Sequence, residues 1–330
     1  MRVSDIVARA RALADDLLFP AAGAVDAAGE VPGAHLDALA DAGLYGLTGP
    51  VSAGGLAADR ATVHGVVEAL AGGDLSTTFV WLQHLLAPGM IAEAPEPLRG
   101  GFLADLCAGR VRSGIALLAA TRPGPPAITA RREGDVFVLD GGVPWVTGWA
   151  HVDVVLVAAR DAADVVHFLL VDAVAGDGLD VVPQQLVAVQ ASSTVGLRLT
   201  GHAVPVSRLV RSVPLDRWQA GDPAGLRLNG SLALGLTARC ARLAELPSLD
   251  ADLADVRAQL DAAGPDGLPD ARAAAAALAH RATGLLAVAT GSRSVSRGHP
   301  VERLAREALF LLVFGSRPAI RTALLHRLGG

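Results

Sequence analysis

From Ser4 to about Arg110 the apolar residues return every three or four positions: Ile6, Ala10, Leu13 and Leu17, then Val63, Val66, Val67 and Leu70, then Phe79, Leu82, Leu86 and Met90. That spacing lines one face of a helix and predicts a helical bundle. Gly43–Pro50 (GLYGLTGP) and Gly54-Gly55 interrupt it and predict a loop between helices. Beyond Ser113 the pattern shifts to short β-rich runs, Val136–Leu139, Val154–Val157, His167–Val171, Leu179–Val182 and the alternating Val195, Leu197 and Leu199. Asp140-Gly141-Gly142 and other Gly, Asp and Pro positions separate them, as in an antiparallel sheet or barrel of sequential strands ending near Val204-Pro205. After Asp222 helical spacing resumes through Leu232, Leu236 and Leu243 and an Ala-rich helix from Pro269 to Thr290. Val301, Leu304, Ala305, Ala308, Leu311 and Leu312 then form one core-facing stripe, and Pro318 is placed to open a last helix bearing Ile320, Leu324 and Leu328. The expected organisation is α+β: a helical domain over 1–112, a β domain over 113–215 and a second helical bundle over 216–330.

Composition narrows what such a chain can be. With 330 residues it can bury a sizeable core without disulfides. Mean hydropathy is +0.42, yet the longest apolar runs, such as Ala308–Gly315, fall short of the ~20 residues a spanning helix needs, so no membrane span is expected. Met1–Leu18 has helical spacing with Arg9 and Asp15 inside it, unlike a secretory leader. Cys107 and Cys240 stand alone, which points to a reducing, cytoplasmic setting. A net charge of -5 without charge runs argues against nucleic acid as partner. All 28 basic residues are Arg. Without Lys there is no phosphate-binding P-loop, no pyridoxal enzyme and no Schiff-base aldolase.

Other chemistries are missing by spacing. No G-x-S-x-G occurs, the nine His residues form no metal-ligand pair, and Gly176-Asp177-Gly178 lacks the third Gly of a dinucleotide turn. Isolated His84 and His167 are expected to be hydrogen-bonded structural residues. No metal site is expected.

Four segments in the right order resemble the acyl-CoA dehydrogenase family, and the resemblance spans nearly the whole chain. They are Leu39–Gly55 (LADAGLYGLTGPVSAGG), Glu133–Ala159 (EGDVFVLDGGVPWVTGWAHVDVVLVAA), Gly196–Val210 with its Val-Pro pair, and Val301–Gly329 (VERLAREALFLLVFGSRPAIRTALLHRLG). The resemblance implies an N-terminal helical bundle, a central antiparallel β-barrel domain and a shortened C-terminal helical bundle. It also implies FAD, an acyl-CoA or carrier-bound thioester as substrate, and a homo- or hetero-oligomer. By the same resemblance Trp145 stacks near the isoalloxazine and the Thr147 hydroxyl faces flavin N5. An indole plane and one hydroxyl suit those tasks. Thr121, in ATRPGP, falls where the family has a Thr-Glu-Pro flavin contact, although Arg122 replaces the Glu.

The family's base is where this chain departs. Taking an α-proton from a thioester requires a desolvated carboxylate of raised pKa. The Tyr-Glu-Gly-Thr turn that carries it aligns its Glu with Gly315, or with Phe314 after a one-residue shift, and neither takes a proton. The other family location, around Gly225–Gly235 (GLRLNGSLALG), holds no acid, which leaves Asp222 and Glu245 as nearby candidates. The Arg-x-x-Phe-Gly segment that reaches a neighbouring subunit's flavin is absent, and Leu246–Leu268 is short for the family's long hairpin. Three functions remain open. The chain is a dehydrogenase with its base elsewhere, a base-deficient or non-catalytic subunit beside a homologous dehydrogenase chain, or a flavin-dependent monooxygenase of the same fold.

Overall fold

The computed structural model describes residues 3–221, 224–315 and 317–329. Seven helices come first: α1 (Val3–Leu13), α2 (Phe19–Ala28), α3 (Gly33–Asp41), α4 (Arg60–Ala71), α5 (Leu75–Leu82), α6 (Leu86–Ala92) and α7 (Glu96–Ala108). Carboxylates set two of the starts. Asp59 caps α4 by accepting from the Thr62 amide at 2.8 Å, and Asp74 caps α5 by accepting from the Thr77 amide at 2.8 Å. Every residue of α5 is buried, so this helix runs through the interior.

The central region has eight strands: β1 (Ser113–Ala116), β2 (Ile128–Glu133), β3 (Val136–Val146), β4 (Val154–Arg160), β5 (Val165–Asp172), β6 (Leu179–Pro183), β7 (Val195–Pro205) and β8 (Leu209–Pro214). A short helix, α8 (Leu118–Thr121), lies between β1 and β2. The sheet order is β6-β7-β3-β2-β4-β5-β8, with β1 beside β4. Most neighbours are antiparallel, as expected, but β1 and β2 run parallel to β4. Both meet the same edge of β4, whose residues are all buried, as a strand covered on both faces requires.

Two expectations about the strands need correction. Asp140-Gly141-Gly142 does not end a strand; it lies within β3, where the register slips between Leu139 and Gly141. Gly141 has φ +128°, and a Cβ there would overlap the Ala127 carbonyl. The strand region also continues past Val204-Pro205 through β8, and helix returns before Asp222, in α9 (Leu215–Gly221).

The chain closes with α10 (Ala224–Ala244), α11 (Pro247–Ala262), α12 (Leu268–Thr290), α13 (Pro300–Val313) and α14 (Pro318–Gly329). On α13 Val301, Leu304, Ala308 and Leu311 are buried, whereas Ala305 is exposed and the charged Arg303 and Glu307 take interior positions. Leu268–Val295 is long and apolar enough to cross a membrane by length and composition alone. Half of its 18-residue apolar window is buried, with α12 packed against α10, α13 and α14.

Two large apolar cores result. One joins α1–α5 to α10–α13 through residues such as Leu36, Leu70, Phe79, Leu232 and Leu304. The other joins the sheet to α6 and α7 through Met90, Leu106, Leu156 and Phe168.

Candidate functional site

Between Val143 and Val146 the pairing of β3 with β7 is irregular: Val143 faces Leu197 and Val146 faces Val195, so Pro144 and Trp145 together oppose Gly196. Such a bulge turns a side chain out of the ladder. Trp145 is accordingly 58% exposed, while Val146 on its C-terminal side is fully buried.

Thr147 follows and points inward. Its Oγ1 lies 3.0 Å from Thr194 Oγ1, which lies 2.8 Å from Ser192 Oγ. Three hydroxyl protons serve two contacts, which leaves one to donate outward. Thr194 and Ser192 belong to the connection from β6 to β7, and this connection holds the backbone after Thr147. The Gly148 amide donates to Ser192 O at 2.9 Å, Trp149 to Ser193 O at 3.1 Å and Ala150 to Ser193 Oγ at 3.2 Å. Val189 (φ 50°) and Ser193 (φ 48°) are left-handed, strained positions for residues with a Cβ, and they flank the turn Gln190–Ser192. From the other side Arg306 donates to Val187 O at 3.0 Å while pairing with Asp26 and Glu302.

Helix α5 connects this segment to the turn between α13 and α14. A Cβ on Gly148 would meet Val80 of α5 at 3.2 Å. The neighbouring Phe79 ring packs edge-on against Phe314, 4.8 Å between centroids, and against Phe310 at 5.0 Å. Gly315 follows Phe314 with φ +60°, and the nearest atom to a Cβ built there is Asn229 Nδ2 of α10, at 3.4 Å. Where the resemblance places a carboxylate, this chain therefore presents a glycine and a neutral amide.

Of the two substitute acids, Glu245 does not fill that place. Glu245 is exposed just past the C-terminus of α10, sixteen residues from Asn229, or roughly 24 Å along the helix. Asp222 lies outside the described residues. Thr121 is buried, but its hydroxyl donates to Leu117 O at 3.2 Å and its carbonyl accepts from Gln219 at 3.0 Å. None of its hydrogen bonds reaches the Trp145–Thr147 segment, although α8 packs against β3, the strand that carries Trp145.

Two carboxylates, Asp74 and Glu307, do lie inside the bundle. Glu307 is the one on α13. It is 2.5 Å from Arg303, which also lies 4.0 Å from buried Asp74. Burial of two acids around one guanidinium pushes the Glu307 carboxyl up to about 7. Its position on α13, two turns before Gly315, was not singled out by any sequence motif. His84 is structural, as expected: Nδ1 accepts from the Ser113 amide at 3.0 Å, Nε2 donates to Leu106 O at 3.1 Å, and burial holds its pKa down near 3. Among the described residues no group of His, Cys, Asp and Glu could hold a metal ion.

Residues 3–110 match the acyl-CoA dehydrogenase N-terminal domain. The 3-sulfinopropanoyl-CoA desulfinase of Variovorax paradoxus is 26% identical over 374 aligned positions, covering 99% of this chain and 94% of that protein. An acyl-CoA dehydrogenase of Geobacillus kaustophilus has the same fold with a TM-score of 0.84 at 16% identity, covering 99% of this chain and 98% of that one. So does a glutaryl-CoA dehydrogenase of Mycobacterium smegmatis solved with FADH2, with a TM-score of 0.82 at 16% identity and 99% and 94% coverage. Residues 3–110 thus match the family's N-terminal domain, and the acyl-CoA dehydrogenase fold extends over 99% of the chain.

Proposed function

We propose that this chain binds FAD and an acyl-CoA, or carrier-bound acyl, thioester and takes part in α,β-dehydrogenation as the base-deficient subunit of a heteromeric enzyme. The observation that carries the first part is the bulge that sets Trp145 outward immediately before Thr147, on a backbone clamped by the β6–β7 connection. These residues fit FAD: the indole offers a stacking plane and the hydroxyl chain has one proton to donate. FAD, when bound, supplies the hydride acceptor. Trp145 would stack, Thr147 would orient through Thr194 and Ser192, and Phe79, Phe310 and Phe314 would exclude water from an acyl chain. The subunit role rests on Gly315 and Asn229, since neither a glycine nor an amide takes an α-proton at neutral pH. Buried, unpaired Cys107 and Cys240 suit a reducing cytoplasm.

A second reading also has an observation behind it. With no carboxylate at position 315, the site suits replacement of a β-sulfinate by hydrogen, in which the Cβ–S bond breaks, water takes up the sulfur as sulfite and Cβ takes a proton, and the Variovorax relative is named a desulfinase.

Expression of the full chain alone, and then with a homologous dehydrogenase subunit, tests the proposal through the flavin spectrum and its bleaching by acyl-CoA. We expect bound flavin that bleaches only with the partner present. Bleaching without a partner sinks the subunit role, and a chain that never binds flavin or acyl-CoA sinks the whole proposal. Release of sulfite from 3-sulfinopropanoyl-CoA by the chain alone would favour the second reading.

A further inference from the structure

Two polar groups border the α13–α14 turn without a task in the fold that accounts for them. Asn229 stands half-buried in the second turn of α10, and its amide has no hydrogen-bond partner among the described residues. Arg272 is 2% exposed, on a helix whose residues 271–279 are otherwise all Ala and Leu. It faces no carboxylate among the described residues. One Nη donates to Leu311 O at 3.1 Å and the other has no partner. Burial lowers its pKa only to about 10, so it carries its charge at neutral pH. The negative end of α13 at Leu311 offsets part of that buried charge, but a helix end supplies only a partial one. An uncompensated guanidinium in the interior is costly unless an anion joins it. Leu311 is one helical turn before Gly315, and Asn229 is the atom group nearest Gly315. Both groups therefore attach to the same end of α13, beside the Phe79–Phe310–Phe314 wall.

We propose that the C-terminal end of α13 takes the anionic end of a short acyl thioester, a carboxylate or a sulfinate, with Asn229 donating to its oxygens and Arg272 balancing its charge. The glycine at 315 makes room for that end and removes the acid that would repel it. The inference rests on the thioester-binding part of the proposed function and is compatible with either chemistry there.

Calorimetric titration of the full-length, flavin-loaded chain with succinyl-CoA, 3-sulfinopropanoyl-CoA and butanoyl-CoA tests it. At least one anionic thioester should bind about tenfold or more tighter than butanoyl-CoA, as a charge-assisted contact gives. The tighter of the two anions identifies the group. Asn229→Leu and Arg272→Met should reduce that preference to about threefold or less while moving butanoyl-CoA affinity by no more than about twofold. Because Arg272→Met can fail to fold, Asn229→Asp provides an isosteric control that should abolish or reverse the preference. Butanoyl-CoA binding as tightly as both anions, or Asn229→Leu and Asn229→Asp weakening all three thioesters equally, overturns the inference while leaving thioester binding intact. If none of the three binds, the proposed function and this inference fail together.

Discussion

Trp145 was legible in the sequence because a rare aromatic beside Val and Thr stands out in a chain with four Trp. Its exposure was not, since that follows from a bulge set by the partner strand. Removing the ring should lower flavin affinity by about tenfold, the stacking contribution of one aromatic, yet change unfolding free energy by less than about 1 kcal/mol because most of the ring is outside the core. Flavin absorbance per chain and a urea titration of Trp145→Ala measure the two effects separately. Asn229 and Arg272 were illegible for a different reason. Nothing in a run of Ala and Leu indicates which helix end an Arg will meet.

Glu307 yields a pH prediction of defined sign. Its folded pKa, about 7, lies above the ordinary 4.5, so the folded chain holds this proton more tightly than the unfolded one. Its stabilising contribution is therefore present below the ordinary value and is lost as pH rises through about 7. The change is at most about 3 kcal/mol. Asp74, Asp26 and Cys240 face the same pocket, with Arg303 and Arg239 as cations. Glu307→Gln should flatten the decline between pH 5 and pH 8, and an unchanged profile in urea midpoints would assign the pH dependence to other groups.

At the scale of elements, helical periodicity was read well because one buried stripe per helix leaves a strong pattern. Strands at the margins were read less well. In β2 (Ile128–Glu133) Arg131, Arg132 and Glu133 are exposed, so half the strand looks like loop. Asp140-Gly141-Gly142 looked like a terminator because Gly serves both bulges and turns. Gly141→Ala separates those roles: with no space for a Cβ against β2, it should cost about 2 kcal/mol or more in a urea titration. The β6–β7 connection was not legible at all, since its shape depends on Arg306, more than a hundred residues away. Arg306→Ala removes the donor to Val187 and the pair with Asp26. Amide exchange at Ser192 and nearby positions should quicken by about tenfold, with global stability less affected.

For the whole molecule, the three-part layout was legible because composition and periodicity change abruptly near residue 113 and again near 215. The distribution of the cores was not. Helices α6 and α7 share their core with the sheet, while α1–α5 share theirs with the C-terminal bundle, so the division by sequence and the division by packing differ. Apolar side chains also remain outward on the last helices, with Val288 at 84%, Val313 at 65% and Leu325 at 69% exposure. Contact with another subunit would cover such positions. Sedimentation of the purified chain should show a species heavier than its 33.5 kDa monomer, and a monomer at every concentration would refute this.

The two cores meet along a seam. Val80 of one lies where a Cβ on Gly148, beside the other, would meet it, and the β6–β7 connection puts Val189 and Ala191 into the first core while Ser192 bonds the strand end of the second. A ligand lodged against Trp145 and Thr147 would act as mortar between two blocks that are each already solid. Binding would then resist their sliding apart more than it resists the melting of either, and thermal transitions that are separate without ligand would be drawn together by it.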